Sequence, residues 1–221
     1  MEKSYKKGLV LAVELTSPFH FPLLIEIVEE GDRIADEFCL LAKSLRSKDK
    51  AGGLLSHSWG MALQSGNKAD YEKDGYTSFY NQNLAEKEEF NEIHQVAVKQ
   101  IEKYLAATTP HEVTFGLTNS WASIYGKGHF VPDHIHPMAH LSVVFYAAAT
   151  EGTGEISFKN PAYSAYAMSY GDKGLFRDTL IVQPKKGMMI VFPSFLEHGT
   201  RPHEDHAERI IFSTNAVLEF V

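Results

Sequence analysis

The sequence predicts a mostly β protein, in which a double-stranded β-helix of the jelly-roll or cupin-like type is supported by N-terminal helices. The C-terminal half contains short β-rich runs separated by turn residues: 113–123, 139–148, 155–159, 180–182, 188–192 and 209–218. This spacing is typical of an all-β sandwich or jelly roll. The N-terminal half instead contains two longer stretches whose apolar residues recur with helical spacing. We therefore expect a single domain over 1–221, with 1–110 as helical support carrying an edge strand and 111–221 as the core.

Each of the two predicted helices has one apolar face. The first spans 24–45, with its apolar residues at Ile25, Ile34, Phe38 and Leu41. Acidic residues come early in this stretch and basic residues come late, as the helix dipole favours. The second spans 84–107, with a predicted buried stripe at Phe90, Ile93, Val96, Ile101 and Leu105. Both helices are expected to pack on one face of a sheet.

The first residues superficially imitate a signal peptide, because three lysines precede the apolar run 8–13. Glu14 interrupts that run and no small-residue cleavage pattern follows, so the sequence favours an edge strand. An exposed edge strand can pair between subunits, which makes a homodimer an expectation.

Composition favours an ordinary soluble enzyme of 221 residues, 44% hydrophobic and 22% charged. The net charge of -7 comes without a basic block, which argues against generic binding to nucleic acid or to an anionic membrane. No segment approaches the length of a membrane span. Cys39, the only cysteine, excludes an internal disulfide and fits a reducing compartment, so the cytoplasm is expected; its apolar neighbours predict a buried small hydrophobe.

Three histidines are candidate metal ligands. Side chains alternate faces along an extended segment, so His134 and His136 project to the same side while Ile135 points to the other. His198 follows the apolar run 188–192 and can bring a third imidazole from a separate strand. Three protein ligands leave open positions on an octahedral ion, as a catalytic metal requires.

The alternative interpretation of this pattern is chance, since the chain has eleven histidines. Two prolines, Pro132 and Pro137, flank the pair and place it at the mouth of a strand rather than deep inside one. A position at the rim suits a metal ligand. The context therefore favours a metal site.

A late arginine provides a second, independent indication of a site. Arg209 opens a strand-like run, and a guanidinium at an inward position needs a carboxylate or another strong acceptor. A small dicarboxylate would be such an acceptor. The alternative is a surface ion pair with Glu208, Asp205 or Glu204, but the position of Arg209 soon after His198 favours the inward interpretation.

The stretch 161–178 is a long connection, rich in tyrosine and glycine and poor in periodicity. Loops of this length inside a compact domain are commonly functional or disordered. We predict that it forms part of the substrate entrance; the alternative is a surface insertion whose aromatic residues pack down.

Other short motifs carry weaker indications. Gly126-Lys127-Gly128 lacks the P-loop pattern, and Ser56-His57-Ser58 and Asp205-His206 have no motif that fixes the geometry of a catalytic triad. His203 and His206 could form an accessory metal site, although a solvated loop fits them better.

Several of these motifs, taken in order, resemble the iron(II) and 2-oxoglutarate-dependent oxygenases, and most of all a bacterial and phage branch of that superfamily. The motifs are Tyr125-Gly126-Lys127-Gly128, His134-Ile135-His136-Pro137, Phe192-Pro193-Ser194 with His198, and then Arg209 and Asn215. The resemblance covers roughly 75–216, and its core is similar to the prolyl-hydroxylase type. It implies Fe(II) held by the three histidines and 2-oxoglutarate bound through Arg209 with help from Tyr125. It also implies hydroxylation of a substrate with decarboxylation of 2-oxoglutarate to succinate.

The chain departs from the family pattern at two positions. His136 stands where most relatives have a carboxylate, so the usual 2-His-1-carboxylate triad becomes three histidines. Asp133 is an alternative carboxylate, but in a regular strand it faces away from His134, and we expect it to orient an imidazole instead. The second departure is Ile211, where many relatives have a serine; Ser213 is two residues further along the same face.

Three other functions remain open from the residues alone: a cupin-like three-histidine iron enzyme without 2-oxoglutarate, a zinc hydrolase, and a jelly-roll binding module without catalysis. The substrate is equally open. Aromatic residues near the predicted mouth fit a peptide, a sugar nucleotide, a lipid-like metabolite or a modified base.

Overall fold

The computed structural model describes residues 21–49, 62–63, 75–80, 82–170 and 177–220. The predicted strand at 8–13 and the motif at 56–58 lie outside these residues. The strands are β1 (Leu24–Ile27), β2 (Ala62–Leu63), β3 (Tyr76–Thr77), β4 (Val113–Tyr125), β5 (His129–Phe130), β6 (Leu141–Ala148), β7 (Ile156–Lys159), β8 (Thr179–Val182), β9 (Met188–Pro193), β10 (His198–Thr200) and β11 (Arg209–Phe220). The α-helices are α1 (Gly31–Lys48), α2 (Asn91–Thr108) and α3 (Tyr163–Tyr170).

All of the strand pairs are antiparallel and form a jelly-roll core. The large sheet has the order β1-β9-β6-β11-β4-β3, and the small sheet has the order β10-β7-β8. Two further strands, β2 and β5, form a short pair. The predicted β-rich core is confirmed, and all six predicted β-rich runs are strands.

Strands β6 and β9 of the large sheet are buried on both faces, with successive residues facing different neighbours. In β6, Val143 and Phe145 belong to the core shared with α1 and α2. Val144 and Tyr146, which alternate with them, pack towards the small sheet with Ile156. This is the two-residue period of a strand. One face of the large sheet therefore carries the helices, as predicted, and the other faces the interior of the jelly roll.

The first predicted helix is wrong over its first residues. Leu24–Ile27 is a strand paired with β9, and a turn at Glu30 with a φ of 53° precedes the helix, which begins at Gly31. The short run has the alternating burial of a strand. Gly31 packs directly on Gly187, where an added Cβ would lie 3.1 Å from the Gly187 Cα. Cys39 is half-buried at the edge of the helix-facing core, less deeply than predicted.

The second predicted helix is confirmed from Asn91 onward, but it is preceded by two 3₁₀ turns, Leu84–Glu86 and Glu88–Phe90. The Asn83 side chain accepts a hydrogen bond from Ala85 N at 3.2 Å and thereby caps the first turn. Among the described residues, no helix is long and apolar enough to cross a membrane.

Candidate active site

Three imidazoles meet where the large and small sheets approach each other. His134 and His198 lie opposite each other in an antiparallel bridge, with two main-chain hydrogen bonds of 2.9 Å between them. His136 N donates to Ser194 O at 3.0 Å. The potential ligand atoms of the three histidines all lie within 4.8 Å of one another. The structure thus brings together the three histidines that were predicted from sequence.

Neutral oxygen atoms orient the three rings. The Nδ1 atoms of His134 and His198 each lie 2.8 Å from a backbone carbonyl, of Pro132 and Leu196 respectively. Both rings are thereby fixed as donors at Nδ1, which leaves Nε2 with a lone pair for a metal ion. His136 is hydrogen-bonded by the side chain of Asn215. The prediction that Asp133 orients an imidazole is wrong, since its carboxylate lies 3.4 Å from Lys159 Nζ.

The surroundings keep two of these rings uncharged. Burial, and then the neighbouring His134, lower the pKa of His136 to about 4. The same two causes lower the pKa of His198 to about 3. Both rings are therefore neutral at pH 7, which is the form that binds metal. The donor set fits a borderline divalent ion such as Fe(II) or Zn(II).

A buried cation lies deeper in the same interior. Arg209 is 1% exposed, and its hydrogen bonds go to neutral oxygens, to Gly154 O at 3.5 Å and Thr200 Oγ1 at 3.3 Å. Its Nε has no partner among the described residues. Glu208, one of the acids that an exposed Arg209 would use, pairs with Arg46 instead. The predicted inward position is confirmed, and burial lowers the pKa of Arg209.

Tyr125 forms the platform on which this guanidinium rests. It is the cross-strand partner of Arg209, and the Arg209 Cζ lies 4.1 Å from the centre of its ring. This is a cation–π contact in a desolvated setting. Burial raises the pKa of Tyr125, so its hydroxyl stays protonated and can donate a hydrogen bond.

The histidines open into a cavity of about 550 Å³ between the two sheets. Its wall includes Tyr125, Thr200, Asn215 and the three histidines. Arg209 lies directly behind this wall, next to Tyr125 and Thr200. The three-histidine cluster, a buried cation without a counterion and a largely apolar cavity therefore lie on one face of the large sheet.

Residues 119–215 match a family model described as "Putative 2OG-Fe(II) oxygenase". Over this segment, which contains the three histidines, Tyr125 and Arg209, the chain is similar to that oxygenase family. No curated protein matches the chain by sequence.

Solved structures show the same fold at low sequence identity. The viral collagen prolyl hydroxylase of Paramecium bursaria Chlorella virus 1, solved with 2-oxoglutarate, is 14% identical with a TM-score of 0.52, over 90% of this chain and 96% of that one. The Pseudomonas putida prolyl-4-hydroxylase is 12% identical with a TM-score of 0.53, over 88% and 91%. AviO1 of Streptomyces viridochromogenes is 14% identical with a TM-score of 0.56, over 89% of both chains.

The cavity has a polar side, which is built around Asn215. The Ser142 hydroxyl donates to Asn215 Oδ1 at 2.9 Å and also contacts the Ser194 hydroxyl at 2.8 Å. Asn215 Nδ2 donates to Asn119 Oδ1 at 3.0 Å. Because the donor and acceptor ends of the carboxamide are both engaged, its oxygen is held towards His136.

Several predicted features do not join the site. The stretch 161–178 is partly helical, as α3, and its described part contributes none of the cavity lining. His203 is buried with its Nε2 against the Ala207 carbonyl, while His206 lies at the surface 3.3 Å from Lys127 Nζ. These two histidines therefore do not form the accessory metal site considered from sequence.

Sequence reasoning did not single out three of the residues that line the cavity: Phe79, Tyr80 and Thr200. Phe79 and Tyr80 follow β3, which pairs with β4 at the register Tyr76 to Ile124 and so brings them to the mouth. Two adjacent aromatic residues after a serine were the available signal. Thr200 bonds both Val131 N and Arg209 through its hydroxyl, a role that no sequence pattern marks.

Proposed function

We propose that the protein is an Fe(II) and 2-oxoglutarate-dependent oxygenase that hydroxylates a C–H bond of its substrate, with His134, His136 and His198 as the iron ligands and Arg209 as the anchor of 2-oxoglutarate. The observation that carries the proposal is the placement of both features along one cavity: three imidazoles within 4.8 Å of one another and a buried guanidinium bonded to neutral oxygens. Bound iron and 2-oxoglutarate supply activated oxygen from dioxygen, with release of succinate and carbon dioxide.

The protein's contribution at the metal is to hold three neutral imidazoles in fixed orientations. Carbonyl oxygens fix the tautomers of His134 and His198, and Asn215 fixes the ring of His136. Three ligands leave coordination positions for a cosubstrate and oxygen. With no carboxylate ligand, the positive charge of the ion is balanced less by the protein than in a 2-His-1-carboxylate site, which increases the attraction for an anionic cosubstrate.

Behind the cavity wall, Arg209 is a buried cation that has no acidic partner among the described residues. A buried guanidinium without a counterion has lost its hydration without full compensation. The distal carboxylate of 2-oxoglutarate would supply the missing charge, and the unpartnered Nε is an available donor. The Tyr125 hydroxyl and Thr200 would complete its hydrogen bonds.

The decisive experiment is an anaerobic titration of the full chain with Fe(II) and then 2-oxoglutarate. The proposal expects a metal-to-ligand absorption band that appears only with both, followed by succinate formation when oxygen is admitted. A three-histidine enzyme without 2-oxoglutarate would give no band at millimolar cosubstrate, and a zinc hydrolase would show neither iron nor oxygen dependence.

His198→Ala is the matched variant for this titration, because it removes the most buried ligand, which is 5% exposed. It should abolish the band. His206→Ala is the control, since His206 is an exposed histidine outside the cavity. A wild-type band in His198→Ala would overturn the ligand assignment.

We further propose that 1–221 works as a single domain in the cytoplasm. The packing of α1 and α2 on the large sheet supports the first point, and a chain with one cysteine supports the second. The homodimer stays a prediction, which sedimentation of the purified chain would test.

A further inference from the structure

Three aromatic rings form a continuous path from the surface to the histidines. Phe79 and Tyr80 are 43% and 55% exposed, and their ring centres lie 4.9 Å apart at an angle of 87°. Phe79 meets Trp121 edge-on at 4.9 Å, and Trp121 is stacked on His136 at 5.9 Å. We call Phe79, Tyr80 and Trp121 the aromatic platform. All three of its members line the cavity.

Phe79 and Tyr80 of the aromatic platform follow a segment that is hydrogen-bonded to β4, the strand that carries Trp121. Ser78 is completely buried and makes two hydrogen bonds to Ala122 of β4, from its N to the Ala122 O and from the Ala122 N to its hydroxyl, at 3.0 and 3.1 Å. The hydroxyls of Thr77 and Ser123 lie 2.9 Å apart across the same pair of strands. Exposed aromatic rings on such a fixed support are typical of a binding surface, because little side-chain entropy remains to be lost on binding.

The part of the cavity wall that the structure describes carries no charged side chain. Among the described residues that line it, none is Asp, Glu, Lys or Arg. Its polar groups are neutral hydroxyls and carboxamides, together with the three histidines. Arg209 lies behind the wall, where the proposed function assigns it to 2-oxoglutarate. With the metal and Arg209 engaged by 2-oxoglutarate, a charged group of the substrate would lose water among the described lining residues without gaining a charged partner there.

We propose that the substrate presents an uncharged, ring-bearing group, which the aromatic platform holds by stacking while the C–H bond to be hydroxylated faces His136. This inference rests on the proposed function and narrows its substrate class. It predicts that a phosphorylated group binds in the cavity more weakly than its uncharged counterpart. The ring can belong to a free small molecule or to a residue within a peptide chain, since both offer the same uncharged chemistry.

The test measures binding of small probes to the full chain loaded with zinc and 2-oxoglutarate, in which no turnover occurs. Saturation-transfer NMR is used with N-acetyl-tyrosinamide, its phosphorylated form, and the capped peptide Gly-Gly-Tyr-Gly-Gly. The neutral amide should bind with its ring protons in contact, and the phosphorylated form at least tenfold more weakly. Tighter binding of the peptide than of the amide identifies a peptide source, and equal binding identifies a small molecule.

The double variant Phe79→Leu/Tyr80→Leu should weaken binding of the neutral probe at least fivefold. Phe195→Leu is the matched control, because Phe195 is 55% exposed and pairs with Phe21 outside the cavity lining. It should leave binding unchanged. Melting temperatures of both variants confirm that each is folded.

Three results would overturn the inference: no binding by any of the probes, equal binding of the phosphorylated and neutral amides, or wild-type binding by the folded double variant. Failure of the proposed function gives a different result. In that case the Fe(II) and 2-oxoglutarate absorption band is absent from the wild-type chain, while the neutral ring still binds to the aromatic platform.

Discussion

The two faces of the large sheet are made by alternate residues of the same strands, yet they differ in almost every respect. The helix-facing side of β11 contributes Ile210 and Phe212 to a dry core shared with α1 and α2. The cavity-facing side contributes Arg209, Ile211, Ser213 and Asn215, three of which are polar. The first face buries apolar side chains. The second face carries polar groups that lack a hydrogen-bond partner among the described residues, such as the Nε of Arg209. Residues that stabilise the fold and residues of the candidate site thus alternate along the same strand.

The largest expected effect is on the helix-facing side. Phe212→Ala removes a ring that is fully buried and meets Phe38 and His94 edge-on. The free energy of unfolding should fall by about 3–5 kcal/mol, the usual cost of deleting a buried phenyl ring. Urea denaturation measures this loss. Metal affinity measured on the folded fraction should stay within a fewfold of wild type, and a loss of metal binding without a loss of stability would contradict the separation of the two faces.

Arg209→Met should show the opposite pattern. Removing a buried cation that lacks a counterion should leave the stability of the cosubstrate-free protein unchanged or raise it. Affinity for 2-oxoglutarate should fall at least about 100-fold, because charge-assisted hydrogen bonds contribute about 1.5–3 kcal/mol each. Calorimetric titration of the metal-loaded protein measures the affinity. Arg201→Met is the matched control at an exposed arginine, and it should leave both quantities unchanged.

Asn215→Leu should lower metal affinity by about 10- to 100-fold, because it removes the group that orients the ring of His136. Competition with a chelator of known affinity measures the effect. Asn215→Asp keeps an oxygen acceptor at the same place and should recover most of the affinity. A normal affinity in Asn215→Leu would show that the packing of Trp121 alone is sufficient to place the ring.

A pH dependence of stability is also expected in the metal-free protein, as the sum of contributions from two histidines. In the folded state the pKa values of His136 and His198 are about 4 and 3, below the ordinary 6.5. Between these limits the unfolded state binds more protons, so stability falls as the pH decreases from about 6.5 to 4, by up to about 1.4 kcal/mol per pH unit for each group. Urea unfolding with a chelator present measures the slope. His136→Asn should reduce it, and an equally steep slope in that variant would refute the assignment.

The cavity-facing residues could be predicted from sequence where the two-residue period is long. The alternation along β4 and β11 places Tyr125 and Arg209 on one side, and the HxH spacing does the same for His134 and His136. Strand Leu24–Ile27 was mistaken for helix because four residues do not distinguish the two periods. Within 161–178, the eight helical residues at Tyr163–Tyr170 lack an apolar stripe, and so gave no helical signal.

Contacts between segments that are distant in the sequence could not be predicted in the same way. The aromatic platform depends on the register of β3 against β4, which short-range patterns do not encode. The orientation of Asp133 towards Lys159 was missed for a similar reason, because the position of β7 beside β10 decides it.

Gly199 shows how the spacing of two ligands is set. A Cβ at this position would lie 2.4 Å from Asp133 Oδ1 and 2.8 Å from Val131 O, so no side chain fits between β10 and the segment that carries His134. Main chain packs against main chain there, so the distance between the backbones of His134 and His198 is fixed. Changes of side-chain rotamer cannot alter that backbone distance. The ring of His136 is the one of the three that a side chain orients, through Asn215. His136 is therefore the ligand whose orientation a substitution outside the three histidines can change.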